Sequence, residues 1–558
     1  MKKYIKNISY IMSLVCIVIF APSCVNDLNV TPINPKVTQT FNQDEVFAKA
    51  YAGFAITGQE GPAGNIDIDT EITDEGKSAL YRCLWNCNEL TTDEAICAWG
   101  DAEVIELNTN TWSSRNPTSG SIYDRFYFVI SISNHFLEKT AGMTDAATVK
   151  QRAEIRFLRA LSYYYLLDLF GNVPFTEVVS LIPPKQIKRA ALFTYIEKEL
   201  SECEADMYEP RTAPYYRVDK VANWLLRSRL YLNAEVYTAV PATPATANFP
   251  AVSASPGTPR WNDAAIYAKK VIDSPYKLNP SYKQLFMADN AGSIDGSSIN
   301  TAPQEIIFPI AADGVKTKSW GASLFLIAST HINITGVTPN WGTKENWGGN
   351  RARATLVKKF FPNAPAGLFT SNKSDLTTVG GALKDSRALF NGSSDFSLNI
   401  TTISEFKQGY SIIKFTNVRA DGKPSHDPQF TDMDIPFMRA AEAYLTYAEA
   451  VVRGGATVNG YDALTAFNEV RKRANPATVK TSIDLPTILD EKAKEFFFEG
   501  QRRTDLIRFG KYGGATGYTW DWKGGTVAGS NFKAEFNLFP LPAGDLNANP
   551  NLDQNPGY

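Results

Sequence analysis

Residues 151–169, QRAEIRFLRALSYYYLLDL, place Ile155, Leu158, Leu161, Tyr165 and Leu169 at the three-to-four-residue spacing of one helix face. Gly171 and Pro174 follow, which is how an amphipathic helix stops. A helix with such a stripe must bury it against another element, so the chain needs further helices to cover it. The same periodicity recurs at residues 44–56, 122–139, 190–207, 219–236 and 263–272, then at 435–453, 462–473 and 488–500. Paired helices with short connections predict a mainly α fold built as a helical repeat array. The starts near 147, 190 and 219 share no fixed period, so spacing alone assigns no repeat family.

Between about 275 and 430 the pattern gives way to Gly, Ser, Thr and Asn with short apolar runs at 305–310 and 410–415, which predicts loops with a few short strands. Residues 60–118 have the same character. Loop-rich segments displayed by a rigid scaffold are where binding sites concentrate.

The N-terminus decides the compartment. Lys2, Lys3 and Lys6 precede an apolar run at 8–20, and Ala21-Pro22-Ser23-Cys24 closes it as a small-residue cleavage site with Cys at the first mature position. The run is shorter than the roughly 20 residues a membrane-spanning helix needs. The box reads as that of a bacterial lipoprotein with Cys24 carrying lipid; an ordinary signal peptide with an incidental Cys is the alternative. The Pro-rich, polar stretch after it suits a tether, and durable attachment needs more than one acyl chain. The predicted organisation is a signal segment at 1–23, a lipidated tether at 24–40 and a body at 41–558. Within the body, scaffold is expected at about 41–56, 122–273 and 432–510, and binding parts at about 57–121 and 275–430.

A net charge of −2 and a pI near 6.1 supply no basic footprint, so nucleic acid is not an expected partner. Removing Cys16 and Cys24 leaves Cys83, Cys87, Cys97 and Cys203, no convincing disulfide framework. Cys83 and Cys87 either pair or lie one helical turn apart as buried thiols. Three scattered histidines, His135, His331 and His426, leave a zinc cluster almost without ligands.

Several blocks carry a recognisable pattern: Arg152-Ala153-Glu154-Ile155-Arg156-Phe157-Leu158-Arg159-Ala160 leading to Leu167-Asp168-Leu169-Phe170-Gly171, Arg439-Ala440-Ala441-Glu442-Ala443-Tyr444-Leu445, and Glu495-Phe496-Phe497-Phe498-Glu499-Gly500-Gln501-Arg502-Arg503 with Asp505-Leu506-Ile507-Arg508-Phe509-Gly510. With Phe539-Pro540-Leu541-Pro542 and Asn555-Pro556-Gly557-Tyr558 at the end, the chain resembles the SusD/RagB family of outer-membrane nutrient-binding lipoproteins. The resemblance implies a tetratricopeptide-like scaffold carrying an irregular, loop-rich binding subdomain. It also implies an outward-facing, lipid-anchored protein that caps a TonB-dependent transporter of the SusC type. The match is particularly strong to the family's starch-binding member, through Asn86-Cys87-Asn88-Glu89-Leu90, Ala288-Asp289-Asn290, Asp313-Gly314-Val315-Lys316-Thr317 and Trp520-Asp521-Trp522-Lys523-Gly524-Gly525.

Sugars present flat C–H faces ringed by hydroxyls, so a site needs aromatic platforms and fixed polar groups. By that resemblance Trp99, Trp320 and Trp347 fall at three aromatic platforms, and Asp74 and Arg82 at hydroxyl-contacting positions. Trp320 stands for a Tyr, Ala102 for an Asn and Cys97 for a neighbouring Trp. Trp520 and Trp522 are read as structural. Starch or maltooligosaccharide is the expected ligand; another glycan, or a helical scaffold that binds no sugar, is the alternative. No cofactor is required, although Asp432 and Asp434 could offer hard oxygens to calcium, with Asp289 or Asp295. The competing reading has Asp434 capping a helix with Pro436 in its first turn. The pairs Asp74/Glu75 and Asp93/Glu94 raise a glycosidase as a rival, but nothing marks a proton donor, and a non-enzymatic binder is expected.

Overall fold

The computed structural model describes residues 40–241, 253–296, 300–332, 341–361, 385–391 and 396–558; Cys24 and the signal and tether segments before residue 40 lie outside them. Residues 44–558 form one compact unit. It is mainly helical, and among the described residues its strands fall into four two-stranded antiparallel pairs.

Helices stack in succession: Pro117–Lys139 packs on Ala146–Leu169, and that on Arg189–Cys203. Lys220–Leu232 packs on Trp261–Asp273. The chain then leaves the scaffold, and the helix that resumes it, Ala441–Val452, packs on the very helix that preceded the excursion. Ala463–Ala474 and Leu485–Phe496 complete the stack. The long loop-rich region is thus an insertion between two neighbouring helices.

Local chemistry sets the helix ends. Asp145, Asp219, Asp462 and Asp484 each accept a backbone N–H of the first turn, satisfying one of the donors a helix start leaves over. The central helix Ala146–Leu169 ends where Gly171 takes φ +74°, a left-handed conformation that costs glycine nothing, and its N–H returns to the Leu166 carbonyl. That helix is packed on both sides, so Tyr163, Tyr164 and Tyr165 are all buried although they point in successive directions. Cys83 lies in the short helix Leu80–Trp85 and Cys87 in the wider turn that follows; both are free thiols, as are Cys97 and Cys203. Burial pushes Cys83, Cys97 and Cys203 up to about 12.

Three expectations need correction. Residues 435–439 are a strand, not the start of a helix: Ile435–Arg439 is buried throughout and pairs with Ile306–Ile310. Pro436 sits opposite Pro309 beside a register shift, where neither owes the ladder a donor. Asp434 therefore caps no helix. The helix predicted to Gly500 stops at Phe496, because Phe497 is extended and Phe498 takes φ +63°. The loop-rich stretch 57–121 also holds the helices Leu80–Trp85 and Ala102–Thr109. Among the described residues no helix is long and apolar enough to cross a membrane.

A buried ionic network joins the scaffold to the returning insertion. Glu495, fully buried, pairs with Arg387 at 2.9 Å, with Arg439 at 2.5 Å and with Arg473. Arg439 also meets Glu305 at 2.9 Å and Glu499 at 2.8 Å. Burial alone would raise the Glu495 carboxyl, but the guanidiniums of Arg473, Arg439 and Arg387 hold it well below the usual carboxylate range. Replacing Glu495 by Ala leaves three buried cations short of a partner and should cost about 3–5 kcal/mol in a denaturant titration. Glu469→Ala, which removes an exposed partner 2.8 Å from Lys472, should change stability by less than about 1 kcal/mol. Equal effects would contradict the network's role.

Candidate functional site

The short strands Ala95–Cys97 and Asn350–Ala352 bring two of the expected tryptophans together. They run antiparallel with Cys97 opposite Asn350, and the Ala98 N–H donates to the Gly349 carbonyl at 2.9 Å. Trp99, just past the first strand, thereby lies beside the turn that carries Trp347 into the second. The approach is close: a Cβ on Gly349, which takes φ +107°, would fall 2.4 Å from Trp99 Nε1. Arg353, fully buried, pins this pair from behind by donating to the carbonyls of Ala95 (2.7 Å), Leu90, Asn108 and Asp521.

The helix Ser323–Thr330 supplies the base for the other platform. The Ala328 carbonyl accepts the N–H groups of Trp347 (2.9 Å) and Gly348 (3.0 Å). Trp320, just before this helix, packs with Trp347 against Leu324, Ala328 and Phe430. The rings of Trp320 and Trp347 stand 6.2 Å apart with planes at 40°. All three tryptophans are half-buried, so each keeps part of a face in solvent.

The segment that carries the two polar candidates is pressed onto the Trp320 loop. A Cβ on Gly76 would meet Trp320 Cβ at 2.5 Å, and one on Gly321 would meet the Gly76 carbonyl at 2.2 Å, so both glycines are required by backbone contact. Glu75, buried, accepts from the Trp320 N–H at 2.8 Å, from Ser319 Oγ at 2.7 Å and from Thr57 Oγ1. Its neighbour Asp74 is exposed, with one oxygen taking the Lys77 N–H at 2.8 Å. Arg82 lies 5.2 Å from the Trp99 ring and 4.8 Å from the Phe325 ring, the range of cation–π attraction. Burial draws its guanidinium below its ordinary value, against the opposing pull of Cys83 and Asp74. Arg82 is buried, and among the described residues it has no ion pair.

The five expected residues thus lie on neighbouring segments: Trp320 beside Trp347, Trp99 against Gly349 and the buried Arg82, and the exposed Asp74 on the segment pressed onto the Trp320 loop. Ala102 is exposed at the start of its helix. Cys97 is buried within its strand, so that departure does not face the surface. Trp520 is buried, and Trp522 donates its indole N–H to the Ile400 carbonyl at 3.0 Å. Glu75, Gly349 and Arg353 hold the platforms in place; only close backbone approach explains them, and sequence spacing carries no sign of it.

The calcium candidates lie elsewhere. Asp432 accepts from the N–H groups of Gly314 (2.8 Å) and His426 (2.7 Å), and its oxygens, with Asp313 and His426, gather within 4.8 Å of one another. Asp434 accepts from the Ala312 N–H at 2.8 Å and lies against the Tyr215 hydroxyl, which favours its ionised form. Burial pushes Asp434 up to about 8, opposed by the Ala312 N–H. Asp289 accepts from Asn300 Nδ2 and the Ala420 N–H, and Asp295 pairs with Arg419 at 2.9 Å. The groups gathered closely enough to share an ion are Asp313, Asp432 and His426, and Asp434 is not among them.

The acidic pair Asp93/Glu94 is buried away from this surface, Asp93 against Arg502 at 2.7 Å and Glu94 receiving the Phe498 N–H. Burial pushes Glu94 up to about 8. Because the folded state then keeps a proton that the unfolded chain releases near pH 4.5, this group's contribution falls as pH rises from about 4.5 to 8. Glu94→Gln should accordingly gain stability relative to the parent between pH 5 and pH 8 in urea melts. A pH-independent difference would show that Glu94 is ionised in the fold.

One family model, described as the SusD family, matches residues 386–558, and a second, described as starch-binding and associating with the outer membrane, matches residues 67–252. The starch-binding protein SusD of Bacteroides thetaiotaomicron is 42% identical over 582 aligned positions, covering 100% of this chain and 99% of that protein. A SusD-like protein of Bacteroides ovatus is 24% identical over 406 positions, covering 69% of this chain and 65% of that protein. Among solved structures, surface glycan-binding protein A from Bacteroides fluxus matches with TM-score 0.64 and 19% identity, over 92% of this chain and 99% of that one. Surface glycan-binding protein A from Bacteroides thetaiotaomicron, in complex with laminarihexaose, matches with TM-score 0.62 and 18% identity, over 92% and 98%. At such identities the structures bear on the fold alone.

Proposed function

The chain belongs to the SusD family, and on that premise we propose that it binds starch-type α-glucans at the cell surface through Trp99, Trp320 and Trp347. The observation that carries this is the tilted pair of half-buried rings, Trp320 and Trp347, 6.2 Å apart at 40°. Two faces at an angle follow a chain that bends, as an α-linked glucan does, and fit a flat β-linked chain poorly. Asp74 and Arg82 at the margin supply an acceptor and donors for ring hydroxyls. The starch-binding name of the 42%-identical relative supports the same substrate class.

If each ring removes about 40 Å² of apolar sugar surface from water, it contributes roughly 1 kcal/mol at about 25 cal/mol/Å². Three such faces approach the −4.1 kcal/mol of a complex with a millimolar Kd, at about 1 mM. Binding is weak per site and gains from the many sites of a polymer. The role is retention without cleavage: Asp93 and Glu94 are buried, and Glu75 is engaged in holding Trp320. Lipid attachment at Cys24 and delivery to a TonB-dependent transporter of the SusC type complete the proposal, supported by the N-terminal segment and by the family's association with the outer membrane.

Trp347→Ala and Trp320→Ala should each weaken maltoheptaose binding about 5-fold in calorimetry, the loss of one face. They should also reduce retardation of the protein in amylopectin gels while leaving dextran, levan and xylan gels without effect. Undiminished binding by both variants, or retardation by xylan alone, would sink the α-glucan site.

Calcium at Asp432, with Asp313 and His426, is a separate part of the proposal, and its role would be to neutralise and brace the loop between the insertion and the scaffold. Saturation with calcium at about 100 times its Kd should raise stability by about 2.7 kcal/mol over chelator-treated protein. Asp432→Asn should abolish the difference. No calcium effect on the parent's melting temperature would remove this reading.

A further inference from the structure

The Trp347 ring is hydrogen-bonded to a side chain outside the expected set of sugar-contacting residues. Trp347 Nε1 donates to Glu345 Oε2 at 2.8 Å, and the other oxygen, Glu345 Oε1, accepts from Gln429 Nε2 at 2.8 Å. Without that bond only backbone and apolar contacts hold the half-buried indole. The carboxylate spends both oxygens inside the protein, so it has little left for a ligand.

Gln429 is itself fastened. Its N–H donates to Asp427 Oδ1 at 2.8 Å, and its carbonyl accepts from Thr343 Oγ1 at 2.7 Å. The Lys344 N–H reaches the Pro428 carbonyl at 2.9 Å, stitching the two segments along their backbones. The same short stretch supports the other platform. Phe430 meets the Trp320 ring edge-on at 5.0 Å, Asp427 caps the Phe430 N–H at 2.9 Å, and Lys318, two residues before Trp320, pairs with Asp427 at 3.3 Å. Residues 427–430 thus form one strut touching both rings, and Glu345 is the link from that strut to Trp347.

Resting on the α-glucan reading above, we infer that Glu345, through Gln429, is a positioning residue that fixes the angle between the Trp320 and Trp347 planes and so sets the preference for tightly curved over relaxed glucan chains. The remaining contacts of Trp347, its backbone on Ala328 and its packing against Leu324, Ala328, Phe430 and the Trp320 ring, are backbone or apolar contacts, so the bond to Glu345 is the directional one its side chain makes. A side chain that only stabilised the fold would alter all ligands alike. One that sets an angle alters their ratio.

The test is calorimetry of the full-length protein with α-cyclodextrin, whose ring imposes tight curvature, and with maltotriose, which adapts. Glu345→Ala should weaken α-cyclodextrin about 5-fold, the order of cost for ordering an unheld side chain on binding, and maltotriose less than about 2-fold. Glu345→Gln, which keeps an acceptor for the indole, should restore most of the ratio. Melting temperatures of both variants should stay within about 2 °C of the parent, as expected where no buried charge is left unpaired. An unchanged ratio in Glu345→Ala overturns the inference, whether or not overall affinity falls. Trp347→Ala measured in parallel separates the two levels: if it binds both glucans like the parent, the site itself fails; if it weakens them while Glu345→Ala leaves the ratio alone, only the role of Glu345 fails.

Discussion

Glu495 sits without solvent exposure among Arg387, Arg439 and Arg473. Buried charges are tolerable only when paired, so the elements that bring these groups must assemble together or not at all. They come from distant parts of the chain: the stretch before residue 391, the strand Ile435–Arg439, the helix Ala463–Ala474 and the helix Leu485–Phe496. Arg439 extends the network to Glu305, next to the strand Ile306–Ile310 that pairs with its own. Both ends of the insertion are fixed to the scaffold through this one cluster.

From that cluster the order passes to the surface of Trp99, Trp320 and Trp347 through backbone turns. Past Phe496 the chain swings through Phe498 at φ +63°, and the Phe498 carbonyl accepts the Trp85 indole N–H at 2.9 Å. Gly500 donates its N–H to Glu89 at 2.6 Å. These contacts seat the helix Leu80–Trp85, which carries Arg82, and the turn that leads to the strand before Trp99. Arg353 then closes the strand pair from behind. Platforms on loops would lose binding energy to the ordering of the loops; here the loops stand on a base already paid for by folding.

The helical part of this fold was legible because apolar spacing reports burial directly, as the 151–169 pattern and the Asp145 cap illustrate. Where spacing was misleading, tertiary pairing had won: Ile435–Arg439 carries apolar residues that continue the next helix's pattern, yet its partner strand lies more than a hundred residues earlier. The site was legible only in part. Aromatic residues on loop-rich segments do not announce a platform, and Trp99, Trp320 and Trp347 were singled out by family resemblance. The residues that hold them could not be read off in advance. Glu75 looked like half of an acid pair and proves to anchor the Trp320 backbone, and Glu345 gave no sign at all, because its function exists only once residues 343–347 and 427–430 lie side by side.

The central claim is that one arc of three rings is where glucan binds, and a crystal structure with maltoheptaose tests it most directly. The account predicts glucose rings stacked on Trp99, Trp320 and Trp347 with hydroxyls at Asp74 and Arg82. Sugar found instead in the cavity of about 900 Å³ lined by Lys358, Lys359, Lys494 and Trp520, with the three rings bare, would contradict it.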